Sequence, residues 1–449
     1  MNGIEELAEI VCQQTGKADA STREKLRLHV ADAICAWIAA TQTAEGKALI
    51  AFRDRMRASG QGSACQLHDD LATHCALIRL SEIDDIHLKS MTTPGSIAIP
   101  AAMTLAAALP DINANDVAAA MLAGYEAMIR LGLAIKGPNV LYRGIWPTYF
   151  AAGFATAAVA ARLLRLDRKQ TEYALALALT MAAPSVGQHH AVTTARWFSV
   201  GNSARNGLTA AFAAQAGFTA DIDVLRSRLL PDIYAIEPDI AAMAWDGALA
   251  FSQVSLKPWC GARQTMPATQ ALREILDSGV SANTVSEVTA FVLPPHLKMI
   301  DHGVKPGDRA SYLTSLPYQL AVAALQPEQM ADLNLAVNVP MQSLQAFMAR
   351  IEVVADDTLL ADYPASWPAR IVVTTSSGRH ERGLDHVPGD PARPFTEAEV
   401  GRKFEHFVAP VAGDAMANFL QSSLTVLDAR NALCSLMQDL ERIMARATA

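Results

Sequence analysis

Apolar residues recur at helical spacing through most of the first 255 or so residues. Near the start, Ile4, Leu7 and Val11 are three or four residues apart, as on one face of a helix. Residues 31–40 are apolar on almost every side, which predicts a helix that is buried on several sides. We find no convincing strand in this part of the chain, so it is predicted to be all-α.

The same periodicity predicts further helices, several of them rich in Ala and Gly. They cover residues 69–80, 101–109, 117–133, 149–164 and 172–181, and another follows residues 201–207 and ends at Gly217. Asn115 or Asp116 is the predicted N-cap of the helix over 117–133. Small side chains let helices approach closely, so tight packing is expected around Ala151, Gly153, Ala155 and Ala158.

The pattern changes after Pro267. Runs rich in β-branched residues predict strands over 285–293, 351–354, 369–375 and 379–387, with helices over 315–325 and 341–349. At 449 residues, the chain is longer than one hydrophobic core usually organises. The predicted fold is mainly α: an all-α helical domain at 1–267, completed by 394–449, plus a smaller α+β lid domain at 268–393.

Composition and charge narrow the class of protein. Hydrophobic residues make up 51% of the chain, but polar residues interrupt every long apolar run, so no membrane span is predicted. A net charge of −8 and the lack of a basic patch argue against nucleic acid as a partner. The first residues do not resemble a signal peptide, and the six cysteines are scattered without metal-binding spacing. We therefore expect a cytoplasmic protein with reduced thiols and no metal site.

Residues 81–96 differ from the helices around them. They place Asp84, Asp85, His87 and Thr93 between apolar helical segments. Desolvating so many polar groups costs free energy unless they pair or bind a ligand. We interpret this segment as the wall of a polar pocket.

Three further polar clusters occur at residues 142–148, 188–196 and 257–265, each at a predicted break between helices. They supply the candidate substrate-binding residues Arg143, Trp146, His189, Arg196 and Arg263, and the candidate base Lys257. If the four clusters converge, their cations suit a substrate with two or three carboxylates. Lysine and histidine could also remove a proton α to a carboxylate.

Each candidate also has a simpler structural explanation. Asp84 and Asp85 could cap a helix or pair with Arg79, Arg196 could lie on the surface, and Lys257 could end a helix. No G-x-S-x-G motif, dinucleotide-binding glycine motif or P-loop is present. A serine nucleophile, a dinucleotide and ATP are therefore not indicated.

With these clusters in view, the chain resembles the MmgE/PrpD family, which includes 2-methylcitrate dehydratase, cis-aconitate decarboxylase and iminodisuccinate epimerase. The matching motifs share one order along nearly the whole chain: Ile83-Asp84-Asp85, residues 93–96, Arg143-Gly144, Pro147-Thr148, residues 201–207, Gly217-Phe218-Thr219, Lys257-Pro258, Pro267-Ala268, Leu293-Pro294-Pro295, residues 298–301, residues 315–318 and Gly389-Asp390-Pro391.

The resemblance implies the two-domain fold described above, a homodimer, a small-molecule carboxylate substrate and no metal or organic cofactor. It places Asp84 and Asp85 in the family's acidic motif, Lys257 on its Lys-Pro lysine and Tyr318 on a tyrosine of the site. The match to the family's motifs is what supports these four placements.

The chain departs from the family pattern at three positions. Members commonly have His-Pro where this chain has Thr93-Pro94, and again where it has Trp146-Pro147. Arg196 replaces a common lysine, and an arginine cannot act as a base near neutral pH. His87, Lys257, Tyr318 or His189 would then take over proton transfer, or the reaction differs.

We therefore predict a cofactor-independent lyase or isomerase that removes a proton α to a carboxylate of a small di- or tricarboxylate. Dehydration, decarboxylation and epimerisation all remain open. Lys257 or His87 is the expected base, and Arg196 and Arg263 the expected partners of the developing negative charge. Two alternatives are a non-catalytic relative that binds a carboxylate and an enzyme of this fold for a less charged substrate.

Overall fold

The structure is a computed structural model that describes residues 2–59, 62–182, 193–334 and 341–448. The chain forms two compact units, one made of Met1–Leu256 with Phe395–Ala449 and the other of Lys257–Pro394. The sequence-based boundary lay at 267/268, so the structure assigns the segment that contains Lys257 and Arg263 to the second unit. The mainly α fold with a smaller α+β part is confirmed.

The first unit is built almost entirely of helices. Those that precede the second unit are α1 (Gly3–Glu9), α2 (Ala20–Ala40), α3 (Ala44–Ala58), α4 (Ser63–Leu80), α5 (Gly95–Ala108), α6 (Ala114–Ala134), α7 (Gly137–Leu141), α8 (Pro147–Leu163), α9 (Arg168–Thr180) and α10 (Ala195–Gln215). As predicted, every residue from Val30 to Ala40 in α2 is buried.

Two helix starts differ from the sequence-based prediction. Helix α6 begins after Asn113, whose side chain accepts a hydrogen bond from Asp116 N while the Asp116 side chain accepts from Asn113 N. The predicted caps Asn115 and Asp116 are wrong because the N-cap is Asn113, two or three residues upstream, and Asp116 is the N3 residue of its capping box. Helix α10 begins at Ala195, so Arg196 belongs to its first turn and not to a separate loop.

The C-terminal helices belong to the first unit. They are α16 (Glu397–Phe407), α17 (Ala409–Ala412), α18 (Met416–Thr425) and α19 (Arg430–Ala447). Helix α16 is joined to α2 by a buried ion pair between Lys403 and Asp32. Helix α19 meets α3 and α4 around Glu441, which contacts Arg53, Arg57 and His74.

A pair of short strands in the first unit corrects the expectation of a strand-free segment. Strand β1 (Ile86–His87) pairs antiparallel with β2 (Val254–Ser255). This pairing fixes one side of the segment 81–96 against a part of the chain far away in sequence.

The second unit contains a four-stranded sheet with helices. The strands are β3 (Val285–Val292), β4 (Ile351–Ala355), β5 (Ala369–Thr375) and β6 (Gly378–Leu384), in the order β4-β3-β5-β6. Strands β3 and β4 are parallel, and the other neighbours are antiparallel. The predicted hairpin is confirmed, with Gly378 at a φ of 138°. The helices are α11 (Met266–Asp277), α12 (Pro294–Ile300), α13 (Arg309–Thr314), α14 (Leu316–Leu325) and α15 (Met341–Met348).

Helix α6 is long and apolar enough to cross a membrane by length and composition, and 94% of its most apolar window is buried inside the protein. Such burial is typical of the core helix of a globular unit. Within the described part of the chain, none of the six cysteines is disulfide-bonded.

Candidate functional site

The segment between α4 and α5 is buried although it is rich in polar residues. Apart from Lys89, every residue from Ser81 to Gly95 is buried. Glu82 and Met91 adopt left-handed backbone conformations, with φ of 59° and 57°, that side chains other than glycine rarely adopt. Such conformations persist only where surrounding contacts hold them, so this segment is firmly anchored.

Asp84 forms a buried ion pair with the end of α4. Arg79 Nη1 lies 3.3 Å from Asp84 Oδ1 and 3.0 Å from Glu82 Oε2. Burial lowers the pKa of Arg79, but the charges of Asp84 and Glu82 outweigh burial and hold that pKa above its usual value. The pairing with Arg79 that was one interpretation of Asp84 is therefore present.

Asp85 is surrounded by hydrogen-bond donors. Its carboxylate oxygens accept from Gly95 N at 2.8 Å and from Tyr125 Oη at 2.6 Å, and His29 Nδ1 lies 2.9 Å away. A Cβ at Gly95 would lie 2.5 Å from Asp85 Oδ2, so only glycine fits there. These contacts hold the segment 81–96 to helices α2, α5 and α6.

His87 is held by hydroxyl groups. Its Nδ1 lies 2.9 Å from Ser90 Oγ, which in turn lies 2.7 Å from Thr92 Oγ1. Burial lowers the pKa of His87 to about 3, and the charges of Lys89 and Lys25 act in the same direction. The imidazole is therefore neutral at neutral pH and is a weak base.

Thr93 joins the starts of helices α5 and α8. Its backbone N–H donates to Thr148 Oγ1 at 3.0 Å, and the two threonine hydroxyls lie 3.2 Å apart. Thr93 precedes α5 by two residues, and Thr148 is the second residue of α8. Two helix N-termini therefore lie side by side, each presenting backbone N–H groups.

Trp146 joins the start of α8 to that of α10. The guanidinium carbon of Arg196 lies 4.8 Å from the centre of the Trp146 ring. Further along, Gly153 and Gly207 approach so closely that a Cβ at Gly207 would lie 2.0 Å from Gly153 O. The contacts advance in the same direction along both helices, so α8 and α10 are parallel and their N-termini are adjacent. The predicted tight packing at Gly153 is confirmed.

The charges at this junction are unequal. Trp197 lies between two guanidinium groups, 5.9 Å from that of Arg79 and 5.5 Å from that of Arg196. Arg79 is paired with two carboxylates, whose charge exceeds its own, whereas Arg196 has no ion pair with any residue that the structure describes. Helix N-termini also carry partial positive charge. The junction of α5, α8 and α10 therefore suits an anion.

Two other candidates of the first unit are not part of this junction. Arg143 is exposed and donates to Ala235 O at 3.0 Å and to Tyr234 O at 2.6 Å. His189 lies outside the described residues.

The second unit holds the remaining candidates. Arg263 is fully buried and donates to both carboxylate oxygens of Asp390, at 2.8 and 2.7 Å. Its charge is therefore neutralised within its own unit. Lys257 is 2% exposed. Tyr318 is buried against the ring of Tyr312, 4.9 Å away, and burial raises its pKa.

Sequence reasoning did not single out His29 and Tyr125, which contact Asp85, or Tyr149, whose ring packs edge-on against that of Trp146. His29 and Tyr125 lie inside apolar helices, and nothing near them in sequence indicates the contact with Asp85. Tyr149 directly follows the Trp146-Pro147-Thr148 cluster, and its place in the first turn of α8 was the available signal. In the described part of the chain, no group of His, Cys, Asp and Glu side chains is arranged to hold a metal ion.

Comparison with known proteins covers both units. Residues 5–229 match the MmgE/PrpD N-terminal domain, and residues 259–427 match the MmgE/PrpD C-terminal domain. The cis-aconitate decarboxylase of Aspergillus terreus is 30% identical over 213 residues, which are 45% of this chain and 43% of that protein. The human cis-aconitate decarboxylase is 28% identical over 163 residues, 34% of each chain. The chain thus spans less than half the length of the curated relatives that it matches.

Proposed function

The chain belongs to the MmgE/PrpD family, and from that premise we propose that it is a lyase of the dehydratase or decarboxylase type that acts on a small carboxylic acid. One observation carries the choice of substrate class. Arg196 lies where the N-termini of α8 and α10 meet and has no acidic partner among the described residues. A guanidinium beside helix N-termini binds a carboxylate through charge and directed hydrogen bonds.

For dehydration and epimerisation, the proposed chemistry begins with removal of a proton from the carbon next to a carboxylate. Lys257 is the proposed base and Arg196 binds the carboxylate on which negative charge develops. The carbanion-like intermediate then expels a leaving group, as in dehydration, or is reprotonated with inversion, as in epimerisation. In decarboxylation, loss of CO2 generates the carbanion and a proton donor completes the reaction. Tyr318 or Thr93 is the proposed proton donor, either to the carbon in proton return or to the hydroxyl group that leaves in dehydration.

His87 is a poor candidate for the base in this scheme. Burial lowers its pKa to about 3, so its conjugate acid forms only in strong acid. Efficient general bases have pKa values near the working pH. We therefore assign His87 to holding Ser90 in the segment 81–96.

A less charged substrate is the second candidate, and two arginines favour it. Arg143 donates to backbone carbonyl groups, and Arg263 is neutralised by Asp390. Fewer cationic side chains are then available to bind a tricarboxylate than the sequence indicated. A mono- or dicarboxylate would need fewer cations, and Arg196 supplies one of them.

The test is incubation of the purified protein in heavy water with cis-aconitate, citrate, maleate and crotonate, followed by proton NMR. Conversion or deuterium uptake at carbon supports a lyase or isomerase, and the acid that reacts identifies the charge class. Thermal stabilisation by an acid without exchange supports a non-catalytic carboxylate-binding relative. The Lys257→Ala variant should remain folded and lose most turnover. Full activity in that variant excludes lysine as the base.

We further propose a cytoplasmic homodimer that needs no metal or organic cofactor. The family resemblance supports the homodimer and the lack of a cofactor, and the scattered cysteines support the cytoplasmic location. Activity that survives dialysis against a chelator, and a sedimentation mass twice that of the 48.0 kDa chain, are the expected results. Loss of activity on chelation, restored by a metal, contradicts the cofactor proposal.

A further inference from the structure

Two hydrogen-bond donors beside Arg196 are buried with no partner among the described residues. They are the hydroxyl of Tyr149 and the indole N–H of Trp146. Tyr149 is only 1% exposed. Buried polar groups are normally hydrogen-bonded, and an exception calls for an explanation.

Both donors lie near the same cation, Arg196, which stacks on the Trp146 ring and acts on the Tyr149 phenol through its charge. The rings of Tyr149 and Trp146 are 5.8 Å apart in an edge-to-face arrangement, and Arg196 covers the Trp146 ring at 4.8 Å. Burial raises the pKa of Tyr149, and the positive charges of Arg79 and Arg196 lower it by less. The phenol thus remains protonated at neutral pH and can donate its proton in a hydrogen bond.

The neighbouring carboxylates do not explain these donors. Arg79 pairs with Glu82 and Asp84, and Tyr149 Oη has no hydrogen bond to any of the three in the described structure. One uncompensated guanidinium, one phenol and one indole N–H remain at the start of α8. Together they match the lone pairs and the charge of a single carboxylate group.

We propose that Tyr149 is a substrate-binding residue, and that its hydroxyl, together with Trp146 Nε1 and the Arg196 guanidinium, binds one carboxylate of the substrate. The inference rests on the proposed function, since it takes the substrate to be a carboxylic acid. The three groups are hydrogen-bond donors, so this subsite recognises an ionised carboxylate and does not act as a base. An acid whose carboxylate at this position is replaced by an amide should bind poorly, because its N–H groups would face donors and a cation.

Calorimetric titration with maleate and with tricarballylate tests the inference. Tyr149→Phe removes only the hydroxyl, and Tyr173→Phe on α9 is the matched control. A hydrogen bond to a charged group is worth enough to weaken binding about tenfold to a hundredfold when it is lost. For the acid that wild type binds, we expect Tyr149→Phe to show this loss of affinity. Tyr173→Phe should bind the same acid as tightly as wild type.

A purely structural role for the Tyr149 hydroxyl would lower the unfolding temperature of the free Tyr149→Phe variant. The proposed binding role predicts the opposite. Since the hydroxyl has no protein partner in the described structure, Tyr149→Phe should not lower the unfolding temperature of the free protein. In the double variant with Arg196→Gln, the losses of affinity should be less than additive, because both residues contact one carboxylate.

The possible results separate this inference from the proposed function. If wild type binds an acid and Tyr149→Phe binds it equally well, the inference is overturned and the proposed function stands. A loss of stability in free Tyr149→Phe without a loss of affinity also overturns it. If wild type neither binds nor converts any of the acids, the carboxylate substrate is wrong, and the inference falls with it.

Discussion

The imidazole of His29 lies 2.9 Å from the carboxylate of Asp85, although 56 residues separate the two along the chain. Burial lowers the pKa of His29 by more than the hydrogen bond to Asp85 raises it, so the ring is neutral at neutral pH. Its Nδ1 then donates to the carboxylate. With Tyr125 and Gly95, His29 makes Asp85 the anchor of the segment that carries Asp84, His87 and Thr93.

We predict that Asp85→Asn lowers the free energy of unfolding of the first unit by about 3 kcal/mol, because hydrogen bonds to a charged acceptor are replaced by weaker ones. Thermal unfolding measured by circular dichroism provides the check. The exposed Asp414 is the control, and Asp414→Asn should unfold like wild type. Equal stability of Asp85→Asn and wild type would show that the anchor is unimportant.

We predict that Arg196→Lys binds a carboxylate ligand about tenfold more weakly than wild type, and Arg196→Gln about a hundredfold more weakly. Lysine keeps the charge but lacks the planar fork that stacks on Trp146. Calorimetric titration measures both affinities. Arg205→Lys changes a residue of the same helix that pairs with Asp69, and it should bind like wild type. Unchanged affinity in Arg196→Gln would remove Arg196 from the site.

We predict that His87 contributes no ionisation to the pH dependence of kcat/KM between about pH 5 and 9. Its pKa is lowered to about 3 by burial, so it stays neutral throughout that range. Folding lowers this pKa from 6.5, so the stability gained from the neutral ring is complete above about pH 6.5 and is lost as the pH falls towards 3. Profiles of wild type and His87→Asn test this. A limb near pH 6.5 that only wild type shows would contradict it.

We predict that Glu441 stabilises the protein at neutral pH and loses this effect in acid. Burial raises its pKa, but His74, with Nε2 3.5 Å away, and the charges of Arg53 and Arg57 lower it by more, to about 2. Because the folded pKa lies below the usual value of 4.5, the stabilisation is complete above about pH 4.5 and disappears as the pH falls towards 2.

The check on Glu441 is the difference in unfolding temperature between wild type and Glu441→Gln from pH 7 to pH 2. That difference should be constant above about pH 5 and shrink below it. Glu405→Gln, at an exposed position on α16, should match wild type at every pH. A difference that persists unchanged at pH 2 would mean that packing, and not charge, explains the effect.

The sequence by itself determined the class of fold and most of its elements. Helical periodicity, the Ala-rich stretches and the β-branched runs after Pro267 are local signals. Each depends only on residues within one or two helical turns or within a single strand. This is why the predicted helix over 149–164 and the hairpin around Gly378 agree with α8 and with β5–β6. Motif order along the chain also indicated the family, which both domain matches confirm.

Only the tertiary structure decided how the polar residues are used. Arg263 and Arg196 look alike in sequence, yet the fold neutralises Arg263 with Asp390 and leaves Arg196 without an acidic partner among the described residues. Whether a charge is paired depends on contacts between residues distant in sequence, which no local pattern encodes. The same holds for His29 beside Asp85 and for the buried hydroxyl of Tyr149, because desolvation arises only when the helices pack.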